Sequence, residues 1–336
     1  MKKNINYGLA VLKSILAFYV IRSHCLPRNS TKNAILFYIL VKRRNIHVPS
    51  FFIMSFFFNY KCFISNDTKR KVNRFERIII PYIFWPFIIF PLNFVFGKFF
   101  KLKLEYSIKK LIFQLILGRG IINPLWFQLD LILTTFLFYV IIYIFQYSYL
   151  YVLQLIMIIS YILQYSEYNL HAFAHSISEL KYSLGREIMM IPLAVTGFIL
   201  GSSNAIYYIK EYRIKTTISA LIIFISVDYF NIFSDIGEYN GIKLNVLSIC
   251  LIFIFSLFPF ENIKNKYIKK FFDYITRYTA GIFYLHIEVY YILNNFIISI
   301  KKQTVQGLLI IYIITYSICH FGILVFGKTK AKHLFS

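Results

Sequence analysis

Long apolar windows follow one another along almost the whole chain, and they constrain its fold more than any other feature. Each window approaches the ~20 residues that an α-helix needs to cross a bilayer, and short segments rich in Lys and Arg separate most of them. The chain is therefore predicted to be an all-α integral membrane protein, a polytopic bundle of about ten transmembrane helices. The windows fall near residues 7–25, 34–60, 78–97, 123–146, 149–164, 187–203, 214–233, 243–260, 275–299 and 305–327.

The composition supports this fold class. Apolar residues make up 58% of the chain and the mean hydropathy is +0.62, whereas soluble domains are about 45–50% apolar. This excess excludes a disordered chain, a collagen-like chain and a small disulfide scaffold. Ten spans with short loops use up the 336 residues, so we expect a single transmembrane domain over residues 1–336 without a large soluble domain.

Three segments are predicted to lie outside the spans, as two surface pieces and one basic loop. Lys42, Arg43 and Arg44 interrupt the second window, which places its span at 47–60 and leaves 34–41 as a short interfacial piece. Residues 61–77 form a basic loop, and residues 98–119 mix lysines with apolar residues as an amphipathic surface segment does.

The net charge of +23 arises from 37 Lys and Arg against 14 Asp and Glu. On a soluble protein it would suggest nucleic acid, but most of these cations lie between apolar windows, where they meet anionic lipid headgroups. Slightly more cations fall on the side that receives both chain ends, which favours cytoplasmic N- and C-termini. No small-residue cleavage site follows residue 25, so we expect a retained first span in the cell's inner membrane.

Polar residues inside the predicted spans are the candidates for function, because each is costly in a bilayer without a partner. Lys13 and His24 are eleven residues apart in the first span, which returns them to within about 20° on a helix and separates them by about 16 Å. They therefore line one stripe of the span. Each alone also fits an interfacial position, and Arg22, on the opposite face, is interpreted as snorkelling to the headgroups.

Arg74 and Arg77 open the third span with i, i+3 spacing, which places them on one helix face about one turn apart. Two guanidinium forks at that distance suit a phosphate or diphosphate. A basic loop that binds lipid headgroups remains the alternative.

Three further residues are candidates for acceptor binding or support of a site: Trp126, Asp130 and His286. Trp126 and Asp130 share a helix face, and His286 lies inside the ninth span. His171 and His175 have the i, i+4 spacing of a metal site but no third ligand, so no metal is expected.

Lys13-x10-His24 followed by Arg74-x-x-Arg77 resembles the membrane acyltransferase-3 family, the bacterial integral-membrane O-acyltransferases of surface glycans. Further segments resemble the family's motifs in the same order, from about residue 7 to 300. They are residues 48–55 (VPSFFIMS), 124–127 (PLWF) and 281–286 (GIFYLH). The chain departs from the family pattern at Phe56, where a Gly is usual, and at Lys13, where Arg is more common.

The resemblance implies transfer of an acyl group, usually acetyl, from cytoplasmic acyl-CoA to a hydroxyl of an extracytoplasmic polysaccharide or lipid-linked sugar. It implies catalysis by His24 with Lys13, acyl-CoA binding by Arg74 and Arg77, and no bound cofactor. His24 suits general-base work near neutral pH.

Two other functional classes are compatible with the sequence: a polysaccharide flippase or other transporter, and a glycan polymerase. No internal repeat of the kind common in transporters is evident, and a polymerase would be expected to carry a longer outer loop with catalytic carboxylates.

Overall fold

The computed structural model describes residues 7–25, 46–99, 107–118, 125–166, 179–203, 211–230, 241–257, 265–276, 278–296 and 305–327, with Thr329 and Leu334. In these ranges the regular secondary structure is entirely helical, which confirms the all-α prediction for the described part of the chain. The short interfacial piece predicted at 34–41 lies outside it.

Ten of the described helices fall on the ten predicted windows, and two short amphipathic helices, α4 and α10, occur between them. In chain order they are α1 Tyr7–Cys25, α2 His47–Ile64, α3 Thr68–Phe99, α4 Ile108–Leu117, α5 Trp126–Ile144, α6 Tyr149–Ser166, α7 Glu179–Ser202, α8 Arg213–Tyr229, α9 Ile242–Leu257, α10 Lys266–Thr276, α11 Thr279–Phe296 and α12 Val305–Phe326. Two segments, Trp126–Ile144 and Gly307–Phe326, are long and apolar enough to cross a membrane. α4 lies within the predicted surface segment 98–119.

The predicted basic loop 61–77 is largely helical, and this corrects the sequence interpretation. α3 begins at Thr68, ten residues before the apolar window at 78, and only Ser65, Asn66 and Asp67 separate it from α2. Asp67 starts the helix by accepting a 3.1 Å hydrogen bond from the backbone N–H of Arg70. A helix needs satisfied backbone groups rather than apolar side chains, so hydropathy alone placed this start too late.

The chain divides into two compact units. The first comprises Met1–Leu12, Asn45–Phe75 and Asp130–Phe272. Within it α2 and α7 form the most extensive helix pair of the described chain. Gly197 and Gly201, four residues apart on α7, let the backbones approach closely, because a Cβ on Gly197 would lie 2.2 Å from the Ile53 carbonyl oxygen. Beside this contact, stacked and tilted rings of Phe56, Phe63 and Phe138 form an aromatic core.

The second unit comprises Lys13–Arg44, Glu76–Leu129 and Asp273–Ser336. α11 packs on α12, and the Tyr278 hydroxyl lies 2.7 Å from His320 Nδ1 across this pair. Gly118 ends α4 in the left-handed conformation at φ 71°. A side chain there would lie 2.7 Å from Trp126 Cα, so this glycine lets the start of α5 pack against the end of α4.

Candidate active site

His24 and His286 lie side by side in the second unit, with ring centroids 5.3 Å apart. His24 is on the last turn of α1 and exposed, whereas His286 is fully buried in α11. His286 Nδ1 lies 3.0 Å from the Ile282 carbonyl oxygen. Because a carbonyl only accepts, Nδ1–H must donate, which leaves Nε2 of a neutral His286 ring as an acceptor. The structure thus brings together a histidine of α1 and a histidine of α11.

The segment that carries His286 is held by hydrogen bonds to the start of α5. The Tyr284 hydroxyl donates to Gln128 Oε1 at 3.0 Å, and Gln128 Nε2 donates to the Ile78 carbonyl oxygen at 2.9 Å. The rings of Phe127 and Phe283 pack 5.2 Å apart beside these bonds. These contacts join the PLWF and GIFYLH segments directly, so the two motifs support one structure around the histidine pair.

The other candidate residues of the second unit differ in their exposure. Lys13 and Trp126 are both partly exposed, and Lys13 lies on the same continuous helix as His24. Arg22 is 2% exposed, so the prediction that it snorkels to the headgroups is wrong: the fold encloses this guanidinium rather than leaving it at the surface.

Arg74 is buried in the first unit, inside a cage formed by α2 and α5. Its guanidinium carbon lies 4.8 Å from the centroid of Phe63 and 5.5 Å from that of Phe56. Nη2 donates to Thr135 Oγ1 at 3.3 Å, and Nη1 lies 3.5 Å from the Ser55 carbonyl oxygen. Ser55 is the last residue of the VPSFFIMS segment and Phe56 follows it, so this motif and its next residue physically support the first arginine. Phe56, in place of the usual Gly, supplies part of the cage.

Arg77 belongs to the second unit and is exposed. The two arginines on α3 therefore differ in environment. Arg77 is open to an anion from solvent, while Arg74 is enclosed by aromatic rings. The alternative that both simply bind lipid headgroups does not describe Arg74.

Asp130 is fully buried and forms a bidentate ion pair with Arg186 of α7. Arg186 Nε donates to Oδ2 at 2.6 Å and Nη2 donates to Oδ1 at 2.7 Å. Thr134 Oγ1 lies 3.1 Å from Glu187 Oε2, and the Glu187 carboxyl interacts electrostatically with both members of the pair. Asp130 thus joins α5 to α7 through a buried ion pair.

Sequence reasoning missed Arg186, Glu187 and Gln128. Arg186 is the last residue of the segment before the window at 187–203, and Glu187 is the first residue of that window. The signal that points to them is Asp130 itself, because an acid inside an apolar window requires a cation from another span. His171 and His175 lie outside the described residues.

A family model described as an acyltransferase domain matches residues 6–324, nearly the whole chain. No curated protein and no solved structure gives a significant match to the chain. The family match extends from the helix that carries His24 to the last long helix, so it includes both histidines and both arginines.

Proposed function

This chain belongs to the acyltransferase-3 family, a family of membrane proteins, and we propose that it is a multi-pass O-acyltransferase of the inner membrane. It takes an acyl group, acetyl first among the candidates, from cytoplasmic acyl-CoA. The acceptor is a hydroxyl of an extracytoplasmic polysaccharide or lipid-linked sugar. The observation that carries the proposal is the exposed His24 ring beside the buried His286 ring.

His24 acts as the general base in this proposal. The acceptor hydroxyl gives its proton to His24 while its oxygen attacks the thioester carbonyl carbon. The carbon–sulfur bond then breaks, and the CoA thiolate leaves and takes up the proton. Exposure of His24 supports this role because an acceptor sugar must reach the ring. His286, fixed through Nδ1 to the Ile282 carbonyl oxygen, holds and orients its neighbour.

Lys13 is assigned a different role in the reaction from His24, because the two residues are about 16 Å apart along α1. That distance excludes contact of both side chains with one carbonyl group. We assign Lys13 to the pantetheine arm of the donor, whose amide oxygens accept hydrogen bonds from an ammonium group. The order along α1 then follows the donor, with the thioester nearer His24.

Arg77 binds donor phosphate directly, since it is exposed, and Arg74 supports acyl-CoA binding by fixing the first turns of α3 through its aromatic cage. Trp126 offers a partly exposed ring face to the acceptor sugar. Asp130 positions α5 through its ion pair with Arg186. No resident cofactor or metal takes part in the proposed reaction.

The test compares kinetic constants of purified full-length protein in lipid nanodiscs, with labelled acetyl-CoA and an acceptor glycan. His24→Ala is expected to lower kcat by roughly 10²–10⁴-fold, the usual contribution of a general base. His320→Ala is the matched control, because this histidine is hydrogen-bonded to Tyr278 and has no part in the proposed reaction. Arg77→Ala is expected to raise KM for acetyl-CoA about tenfold, with Lys215→Ala, at an exposed lysine of α8, as its control.

Equal losses in His24→Ala and His320→Ala would refute the role of His24. An unchanged KM in Arg77→Ala would remove Arg77 from the donor site.

A further inference from the structure

A cavity of about 760 Å³ lies in the first unit, where the connection between α2 and α3 faces the connection between α5 and α6. Its walls come from the end of α2, the first turn of α3, and the last turns of α5 continuing into α6. Its volume is in the range of small-molecule sites.

The inner wall of this cavity is held in place by Tyr139. Its hydroxyl lies 3.4 Å from Cys62 Sγ, and its ring packs 5.0 Å from Phe63 and 5.4 Å from Phe75. Cys62 in turn donates to the Arg70 carbonyl oxygen at 3.4 Å. These contacts fix the wall and join α2, α3 and α5.

The charge of the lining favours an anion. Lys71 is the cation among the described lining residues, which include no Asp or Glu. Its Nζ lies 5.3 Å above the Tyr139 ring, so the ammonium group stands over the fixed wall. No carboxylate of the described residues forms an ion pair with Lys71. The exposed Lys69 and Arg70 nearby add to the positive potential.

The rest of the lining suits a flat ring and hydrogen-bonding groups. Tyr143 is 79% exposed and Tyr149 is half-buried, so each leaves ring surface for stacking. Asn66 and Gln146 bring side-chain amides to the cavity, and amides both donate and accept. A cation, stacking rings and amides in one cavity match a phosphorylated nucleoside better than a purely apolar ligand.

We propose that this cavity binds the adenosine 3′,5′-bisphosphate part of the acyl-CoA donor, with Lys71 on a phosphate and a tyrosine ring on the adenine. The proposal rests on the proposed function for the identity of the donor. It adds a donor contact one turn before Arg74, on the same helix. The buried Arg74 is connected to this cavity as well, because the Phe63 ring contacts both the Arg74 guanidinium and the Tyr139 ring of the cavity wall.

The experiment measures equilibrium binding of labelled adenosine 3′,5′-bisphosphate to full-length protein in phosphatidylcholine nanodiscs, so that no anionic lipid competes. Lys71→Gln is expected to raise Kd roughly tenfold or more, because it removes a charged contact to phosphate. Lys71→Arg should restore most of the affinity. The matched control is Lys61→Gln, an exposed lysine at the end of α2 that does not line the cavity. Thermal midpoints of the variants establish that they fold alike.

Absence of saturable nucleotide binding in the wild type, or equal Kd in wild type and Lys71→Gln, would overturn the proposal. A second arm adds phosphatidylglycerol to the nanodiscs. If Lys71 governs retention of that lipid and not nucleotide affinity, the cavity is a lipid headgroup site and the proposal is wrong.

Turnover separates this proposal from the proposed function. Lys71→Gln is expected to raise KM for acetyl-CoA with little change in kcat, and to leave KM for S-acetylpantetheine, which lacks the nucleotide, unchanged. Lys71-dependent binding without any acyl transfer would retain the nucleotide site and refute the donor reaction. Acyl transfer together with nucleotide binding that does not depend on Lys71 would retain the donor reaction and refute the nucleotide site.

Discussion

Replacing Gly197 with alanine is expected to force α2 and α7 apart. The new Cβ would lie 2.2 Å from the Ile53 carbonyl oxygen, 2.9 Å from its carbon and 3.0 Å from its Cα. All three atoms are backbone, so no side-chain rotation relieves the overlap. Ordinary contact begins near 3.4 Å, and the two helices must therefore separate by about 1 Å or tilt by an equivalent amount. Overpacking of this kind costs about 1–3 kcal/mol.

The loss of stability in Gly197→Ala is best compared with that in Gly185→Ala, because Gly185 lies on the same helix and a Cβ there meets nothing within 4 Å. Alanine is favoured over glycine in a helix interior by about 1 kcal/mol, and both variants receive that gain. The difference between them therefore isolates the packing cost. We expect Gly185→Ala to be neutral or stabilising and Gly197→Ala to be less stable than it by about 1–3 kcal/mol.

The assay is reversible unfolding of the full-length protein in mixed micelles with increasing SDS, followed by circular dichroism. Because α2 also carries Ser55 and Phe56, which contact Arg74, Gly197→Ala should raise KM for the acyl donor as well. Equal unfolding free energies for the two glycine variants would refute the close approach of α2 and α7.

Three further changes probe the first unit by the same unfolding assay. Arg186→Leu leaves the buried Asp130 carboxylate without its bidentate partner and should cost about 3–5 kcal/mol; the double change Asp130→Leu with Arg186→Leu should recover most of that loss, and failure to recover it would contradict the pairing. Arg74→Lys loses the planar stack on Phe56 and Phe63 and the hydrogen-bond fork, with an expected cost of about 1–2 kcal/mol, and an unaffected protein would show that the cage does not hold the guanidinium. Phe56→Ala should cost about 3–5 kcal/mol by opening a cavity beside Phe138, and a smaller loss than that of Arg74→Lys would count against the aromatic core.

The helices were predictable because their cores are long apolar runs of the sequence. α1 begins and ends at the two residues that bound the first window, 7 and 25. The apolar windows begin eight to ten residues after the starts of α3 and α7, since the first turns of these helices are polar and hydropathy does not register them. A capping residue such as Asp67 carries that information locally.

The residues of the candidate site were predictable only where a polar or charged side chain stands inside an apolar window, because such a side chain is energetically costly there without a partner. His24 and His286 stand out as imidazoles inside apolar windows, and the structure brings their rings together. Their contact itself is long-range, and periodicity within one helix says nothing about which other helix lies beside it. Arg186 was missed for the same reason. In the sequence it stands at the edge of an apolar window, as a loop cation does, and only its long-range contact with Asp130 shows that it is a buried ion-pair partner.

The spacing of Arg74 and Arg77 predicted one shared face, but exposure separates them. A helix face extends over several neighbours, so two residues on one side of α3 can meet different surroundings. Arg74 meets the rings of α2, while Arg77, one turn later, is open. Helical periodicity alone does not contain this difference.

The most direct test of the central claim uses sealed inside-out membrane vesicles that contain the wild-type protein, supplied with acetyl-CoA labelled in the acetyl group. Label is expected in lumenal or lipid-linked glycan, from which mild alkali releases it as expected of an ester, and this label is expected to be lost in His24→Ala at equal protein level. Absence of label in wild-type glycan, when the same vesicles contain acceptor glycan and bind acetyl-CoA, would contradict the account.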